Sequence, residues 1–206
     1  MKKIAVLVID DSSVIRNIVK DTLKDELDIE VVGEAEDPII ARDLIKKLNP
    51  DVLTLDVEMP NMDGITFLKN LMRLRPMPVI MLSTLTTKGA DITLEALEIG
   101  AVDFIAKPSV AELLATKNSF KQTLVRKIKQ GVTIEQRNFK LSNALAGKTE
   151  NQVLRFNGVK RADHLIAIGA STGGTEAIKK VLINLPENSP PIVITQHIPK
   201  SFSGRF

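Results

Sequence analysis

The sequence predicts an α/β protein whose larger part is a parallel sheet covered by helices on both faces. Three observations carry that expectation. Five short β-rich runs alternate with stretches whose apolar residues recur at a spacing near 3.6. Several of the runs are apolar along their whole length, as strands buried on both faces are. Charge then divides the chain. Residues 1–115 hold 13 Lys and Arg against 20 Asp and Glu, whereas 116–206 hold 15 against 5, a split that separates a second module from the first.

In chain order, KIAVLVI (3–9) is the first strand and a helix follows over 13–26. DIEVVGEA (28–35) is the second strand, with a helix over 38–48. VLTLD (52–56) is the third, with a helix over 64–74. PVIMLS (78–83) and VDFIA (102–106) are the fourth and fifth strands, with helices over 88–99 and 111–130. From Gly131 to Arg161 the periodicity fades and the residues turn polar, as an interdomain linker requires, with a short helical piece near Asn143. HLIAIG then opens a new strand, a helix follows over 174–185, and the Pro-rich turn NSPP leads into IVITQ: one β-α-β unit. The expected division is 1–130, a linker over 131–162, and a second α/β unit over 163–206.

Composition excludes several classes. At 44% hydrophobic and 26% charged residues the chain is an ordinary globular mixture able to bury a core. No apolar run approaches the ~18 residues that span a bilayer, and the six apolar residues ahead of Asp10 fall short of the roughly 7–15 of a secretory signal core. Membrane insertion is not expected, and a cytoplasmic location is. There are no cysteines, hence no disulfides and no thiolate chemistry. The basic second half has neither zinc-finger spacing nor a helix-turn-helix pattern after Gly131, so it reads as a solvated basic surface and no nucleic-acid partner is expected.

In a doubly wound sheet, ligands sit outside the carboxyl ends of the strands. Asp10 and Asp11 close the first strand here, Asp56 the third and Ser83 the fourth, while Lys107 and Pro108 follow the fifth. Three converging carboxylates repel one another unless a hard cation joins them, Mg²⁺ first. A carboxylate is also a nucleophile toward phosphorus, and Lys107 with Ser83 would meet the transferred oxygens. Taken singly, Asp10 and Asp11 are equally well cap or turn acids and Lys107 a surface residue; five residues of the right types at successive strand ends are not coincidence.

These residues give the chain its resemblance. The pattern DD (10–11), LDVEMPNMDG (55–64), MLST (81–84) and FIAKP (104–108) resembles the receiver domain of two-component response regulators over residues 1 to about 130. The resemblance implies the strand order 2-1-3-4-5. It also implies Asp56 as phosphoacceptor, and Asp10, Asp11, Asp56 and the Glu58 carbonyl around Mg²⁺, with Asp10 acting through water. Ser83 becomes the switch hydroxyl, Lys107 the phosphoryl-contacting lysine, and Phe104 the rotameric switch aromatic.

The second unit carries G-x-S-x-G at Gly169–Gly173, on a strand-to-helix turn. Flanking glycines remove side chains that would clash in such a turn, and the following helix aims N–H groups and its positive dipole end at Ser171. On the pentapeptide alone, a Gly-rich helix start capped by Ser171 or Thr172 is the stronger alternative. Gly174 is followed directly by Thr175 and Glu176 and not by Lys and Ser or Thr, which excludes a P-loop. His197 changes the ranking: it ends the next strand, 26 residues after Ser171, at the same carboxyl edge. His164, at the opposite strand end, has no such role.

The stretches DHLIAIGASTGGTEAIKKVL and PPIVITQHIPKSFSGRF resemble the opening of the methylesterase domain of the CheB family. That resemblance implies a Rossmann-like domain in which Ser171 is the nucleophile, His197 the base and the Thr172 N–H an oxyanion donor. It implies hydrolysis of glutamyl methyl esters, and deamidation of glutamines, on methyl-accepting chemoreceptors. A chemotaxis histidine kinase would supply the phosphoryl group, and phosphorylation at Asp56 would relieve inhibition by the receiver. No acid follows His197, so the expectation is a C-terminally truncated, weakly active or inactive esterase. The alternative is a stand-alone phosphoryl-accepting module with an inert tail.

Overall fold

The computed structural model describes residues 2–60, 62–84, 92, 95–108, 118–133, 164–171, 174–186 and 188–197. Strands β1 (Ile4–Ile9), β2 (Ile29–Ala35), β3 (Val52–Asp56), β4 (Val79–Ser83) and β5 (Asp103–Ala106) form one parallel sheet in the order β2-β1-β3-β4-β5. Each lies within a residue or two of its sequence expectation. Helices α1 (Ser13–Leu23), α2 (Pro38–Leu48) and α3 (Gly64–Leu74) follow the first three strands. The helical stretches over 95–99 and 118–133 are α4 and α5. The starts expected for α4 and α5 and the helical piece near Asn143 lie outside the described residues.

Alternation along the strands builds two cores. Leu7, Ile9, Leu53, Leu55, Val79 and Met81 face one side, where they meet Ala41 and Ile45 of α2, Leu68 and Leu71 of α3, and Ala96 and Leu97 of α4. Val6, Val8, Val52, Ile80 and Leu82 face the other, against Val19 and Leu23 of α1 and Phe120, Leu124 and Ile128 of α5. With both faces apolar, β3 and β4 are buried at every position, which is why they read as unbroken apolar runs.

Local chemistry fixes the helix ends. Asp37 caps α2 by accepting from the Ile39 and Ile40 N–H groups at 2.7 and 2.8 Å, with Pro38 at the first helical position. Asn49 ends α2 in the left-handed region at φ 48, where Arg75 donates to its side-chain oxygen and, at 3.0 Å, to the Ile45 carbonyl. Two helix ends differ from expectation. α1 stops at Leu23 because Leu27 projects into solvent, 90% exposed, and the chain turns there with Lys121 pairing Glu26 at 3.0 Å. α5 continues through residue 133, because Val132 extends the inward row Phe120, Leu124, Ile128 at spacing four.

The second unit is a separate two-stranded parallel sheet, β6 (Ile166–Ala170) and β7 (Ile192–Gln196), with α6 (Gly174–Asn184) between the strands. Its register runs from Ile166 opposite Ile192 to Ala170 opposite Gln196. Of its described apolar side chains Ile178 alone is buried, whereas Leu165, Val181, Ile183 and Val193 are largely exposed. No described helix is long and apolar enough to cross a membrane.

Leu55 is fully buried at the sheet's centre, so Leu55→Ala is expected to lower the unfolding free energy by about 2–5 kcal/mol. Leu27→Ala is expected to change it by less than about 0.5 kcal/mol. Urea denaturation of the two variants measures both.

Candidate functional site

The carboxyl ends of β1, β3 and β5 bring the sequence-predicted acids and lysine together. The Lys107 ammonium lies 2.8 Å from Asp56 Oδ1 and 2.9 Å from Asp10 Oδ2. Asp10 and Asp56 are buried, Asp11 is exposed, and carboxylate oxygens from all three lie within 4.8 Å of one another. Lys107 also donates its backbone N–H to the Ser83 carbonyl at 2.8 Å, which extends the β4–β5 ladder past its last paired strand residues.

Burial sets the protonation chemistry. It pushes Asp56 up to about 6, with the Lys107 ammonium opposing it, and pushes Asp10 above its ordinary value in the same way. Burial also pulls Lys107 down, but the Asp56 and Asp10 carboxylates outweigh it and leave the ammonium above its usual range. One cation among three carboxylates leaves excess negative charge. Among the described residues, Asp56 Oδ2 is buried with no hydrogen-bond partner. An all-oxygen set with an unpartnered buried oxygen fits a hard divalent cation such as Mg²⁺.

The loop after β3 is shaped around Asp56. The Glu58 N–H donates to Asp56 Oδ1 at 3.1 Å, and the Gly64 N–H donates to the Val57 carbonyl at 2.9 Å. A Cβ on Gly64 would stand 1.9 Å from the Asp56 carbonyl oxygen, so this close approach admits only glycine. Asp63 caps α3 by accepting from the Thr66 N–H at 2.8 Å. Beside Asp11 a cleft of about 760 Å³ opens between Glu58, Met59, Lys69 and Glu95.

Ser83, 2% exposed, ends β4 with its hydroxyl donating to the Thr84 carbonyl at 3.2 Å. Phe104 is buried at 6% exposure; its N–H donates to Asp103 Oδ1 at 2.7 Å, and Lys127 of α5 lies 5.5 Å over its ring. Lys127 pairs with Asp103 at 2.5 Å. Burial holds the Lys127 ammonium below its usual range, against the pull of Asp103.

In the second unit, Ser171 Oγ and His197 Nδ1 lie 3.4 Å apart at the carboxyl ends of β6 and β7. The His197 N–H donates to the Ala170 carbonyl at 2.8 Å, and the Gly174 N–H to the Ser171 carbonyl at 2.7 Å. The structure therefore places Ser171 and His197 side by side; Thr172 lies outside the described residues.

Sequence reasoning missed two residues that hold these sites. Arg16 donates to the Asp10 and Asp11 carbonyls at 2.8 and 3.1 Å. Gln196 donates its amide to the Ser171 and His197 carbonyls at 2.9 and 3.2 Å. Their only sequence signal is position: one turn into the helix after the paired acids, and directly before the strand-end histidine.

Residues 6–118 match the model for the response regulator receiver domain, and residues 166–206 match the model for the CheB methylesterase. The chain is 50% identical over 208 residues to the protein-glutamate methylesterase/protein-glutamine glutaminase of Nitrosomonas europaea, covering 100% of this chain and 58% of that protein. It is 50% identical over 206 residues to the protein of the same name in Photorhabdus laumondii, covering 57% of it. The chain thus spans somewhat under three-fifths of these relatives. Among solved structures it is similar to the response regulator domain of Thermotoga maritima CheB, at 44% identity and a TM-score of 0.57, covering 64% of this chain and 98% of that one. The signal receiver domain of a putative response regulator NarL from Mycobacterium tuberculosis is similar at 32% identity and a TM-score of 0.53, covering 63% and 98%. The chain belongs to the response regulators: its receiver domain is followed by a segment that is similar to the CheB methylesterase over residues 166–206.

Proposed function

We propose that the chain is the phosphorylation-controlled part of a chemotaxis methylesterase. In this reading the receiver, expected over 1–130, runs on to the end of α5 at 133, a linker extends to 162, and 163–206 is the start of the catalytic domain. The observation that carries the reading is the buried Asp56 carboxyl, gripped on Oδ1 by Lys107 and without a partner on Oδ2. Ionised Asp56 attacks the phosphorus of a donor, the kinase phosphohistidine, and the P–N bond breaks as the Asp56 O–P bond forms. Lys107 then follows the new phosphoryl oxygens, and the Ser83 hydroxyl turns from the Thr84 carbonyl to donate to one of them. Asp10, Asp11, Asp56 and the Glu58 carbonyl would hold Mg²⁺, which when bound neutralises charge on the transferring group.

At the second site Ser171 is the nucleophile. Neutral His197 takes the Ser171 proton as Oγ attacks the ester carbon of a receptor glutamyl methyl ester, and returns it to the departing methoxide as methanol. Water then hydrolyses the acyl-enzyme. The same steps with an amide substrate release ammonia, and the Thr172 N–H would face the oxyanion. The receiver restrains this chemistry until Asp56 is phosphorylated. The substrates are the glutamyl esters and glutamines of cytoplasmic chemoreceptor segments, which places the protein in the cytoplasm.

Incubated with acetyl phosphate and Mg²⁺, the chain is expected to gain one phosphoryl group, seen by intact-protein mass spectrometry, and Asp56→Asn to gain none. Uptake unchanged in that variant overturns the assignment. Whatever methanol the chain releases from methylated receptors is expected to vanish in Ser171→Ala, and its persistence would exclude Ser171 as nucleophile.

A pH dependence follows from the buried carboxyl. Asp56 rises from an ordinary value of 3.8 to about 6 on folding, so the folded state binds its proton more tightly than the unfolded state. Stability from this group is present below about 3.8 and is lost as pH rises to about 6, by roughly 3 kcal/mol. Asp56→Asn is therefore expected to raise the unfolding free energy at pH 7.5 and to have little effect at pH 4. Carbon-detected NMR of metal-free protein is expected to show the Asp56 carboxyl titrating near 6, and added Mg²⁺ is expected to move that midpoint down.

A further inference from the structure

Arg16 sits in the first turn and a half of α1, outside the carboxylate set, with its side chain only 12% exposed. One of its terminal nitrogens, Nη1, donates to both the Asp10 and Asp11 carbonyls, at 2.8 and 3.1 Å. Behind it, Glu34 of β2 places Oε2 at 3.8 Å from Arg16 Nε, and Lys20 holds that same oxygen at 2.7 Å. β2 also supplies the Ala35 carbonyl that accepts from the Asp10 N–H at 3.1 Å. The backbone of the paired acids is thereby held on both sides from one strand, directly through Ala35 and indirectly through Glu34 and Arg16.

This arrangement matters most for Asp11. Asp10 is buried, its Oδ1 accepts from the Ser12 N–H at 3.0 Å, and Lys107 fixes its other oxygen. Asp11 is exposed, and the tether that fixes its peptide is the Arg16 contact to its carbonyl. A carboxylate on a free turn samples many directions, whereas one on a pinned turn is aimed before the cation arrives. The geometry points to Arg16 as a positioning residue for the divalent-cation site, braced by Glu34, that sets cation affinity by aiming Asp11 beside Asp56. This rests on the reading of the acidic cluster as a cation site. The guanidinium is suited to the task because its nitrogen reaches two carbonyls while its other edge faces a carboxylate; a lysine has the same charge and lacks that fork.

The test is an NMR titration of the chain with Mg²⁺, following the amide shifts of Asp11, Asp56 and Glu58, alongside thermal unfolding. Arg16→Lys preserves net charge and is expected to weaken Mg²⁺ binding on the order of tenfold, as loss of other supports behind metal ligands does. Glu34→Gln is expected to weaken it less, and to have no further effect in the Arg16→Lys background, because it acts through Arg16. Mg²⁺ affinity in Arg16→Lys within twofold of wild type, even with a lowered melting temperature, overturns the proposal and leaves Arg16 a structural residue. If Arg16→Lys does not fold, Glu34→Gln decides alone, and an affinity equal to wild type overturns the proposal. A Glu34→Gln effect that persists undiminished in the double variant and fades with added salt marks a direct charge effect and overturns the brace. Wild-type protein whose shifts do not respond to Mg²⁺ refutes the cation site itself, a different result from intact binding in the variants.

Discussion

The receiver is organised around one buried ion triad: the Lys107 ammonium between the Asp10 and Asp56 carboxylates. Groups of this kind are costly to bury unless each is paired, because the interior cannot replace their hydration. The three residues stand at the ends of β1, β3 and β5, so satisfying them requires these strands to end at the same level of the sheet. The fully buried residues Val8, Leu55 and Leu82 leading into this edge supply the low dielectric that strengthens the pairing. The pairing in turn tolerates them, since it leaves no isolated charge beneath.

That balance is incomplete by construction. A single ammonium opposes two buried carboxylates with Asp11 close by, and burial wins over Lys107 at both Asp10 and Asp56. Stability alone would favour an amide or an apolar residue at such a position. The excess charge is what the proposed cation and phosphoryl chemistry would use. The close packing of Gly64 against the Asp56 carbonyl brings the start of α3 against the end of β3 without crowding it.

Much of this was legible in the sequence, for identifiable reasons. Strands buried on both faces, as β3 and β4 are, produce largely apolar runs, the partly exposed edge strand β2 shows as a β-rich run between helical stretches, and the β-α repeat then put Asp10, Asp56, Ser83 and Lys107 at one edge. Ser171 and His197 were legible by the same logic, from matching strand ends. Arg16 was not, because an arginine on the polar side of an amphipathic helix looks like a surface residue until its carbonyl partners are known. Gln196 was hidden similarly: its contacts are to main-chain oxygens of Ser171 and His197, and main-chain partners leave no pattern in the sequence. The end of α5 was misplaced by three residues because Gly131 reads as a breaker, whereas the inward row at spacing four carries the helix on to Val132.

The two units hold their sites with unequal backing. The receiver places its chemistry between two cores, with α1, α3 and β2 each contributing a hydrogen bond or ion pair to a loop of the site. The second unit places Ser171 and His197 just past the ends of two strands joined through one helix, and Val181, Ile183 and Val193 of that unit remain exposed. Within that unit the Gln196 amide ties the Ser171 carbonyl to the histidine strand, alongside the His197 N–H bond to the Ala170 carbonyl, and among the described residues its Oε1 is buried without a partner. A Cβ at Gly174 would stand 2.7 Å from the Ala170 Cβ, which is fixed on β6, so the close approach of α6 to that strand calls for glycine; the Gln196 amide oxygen, 2.2 Å away, is the end of a side chain that could shift. The glutamine thus fastens the Ser171 carbonyl at the end of β6 to the strand that leads into His197.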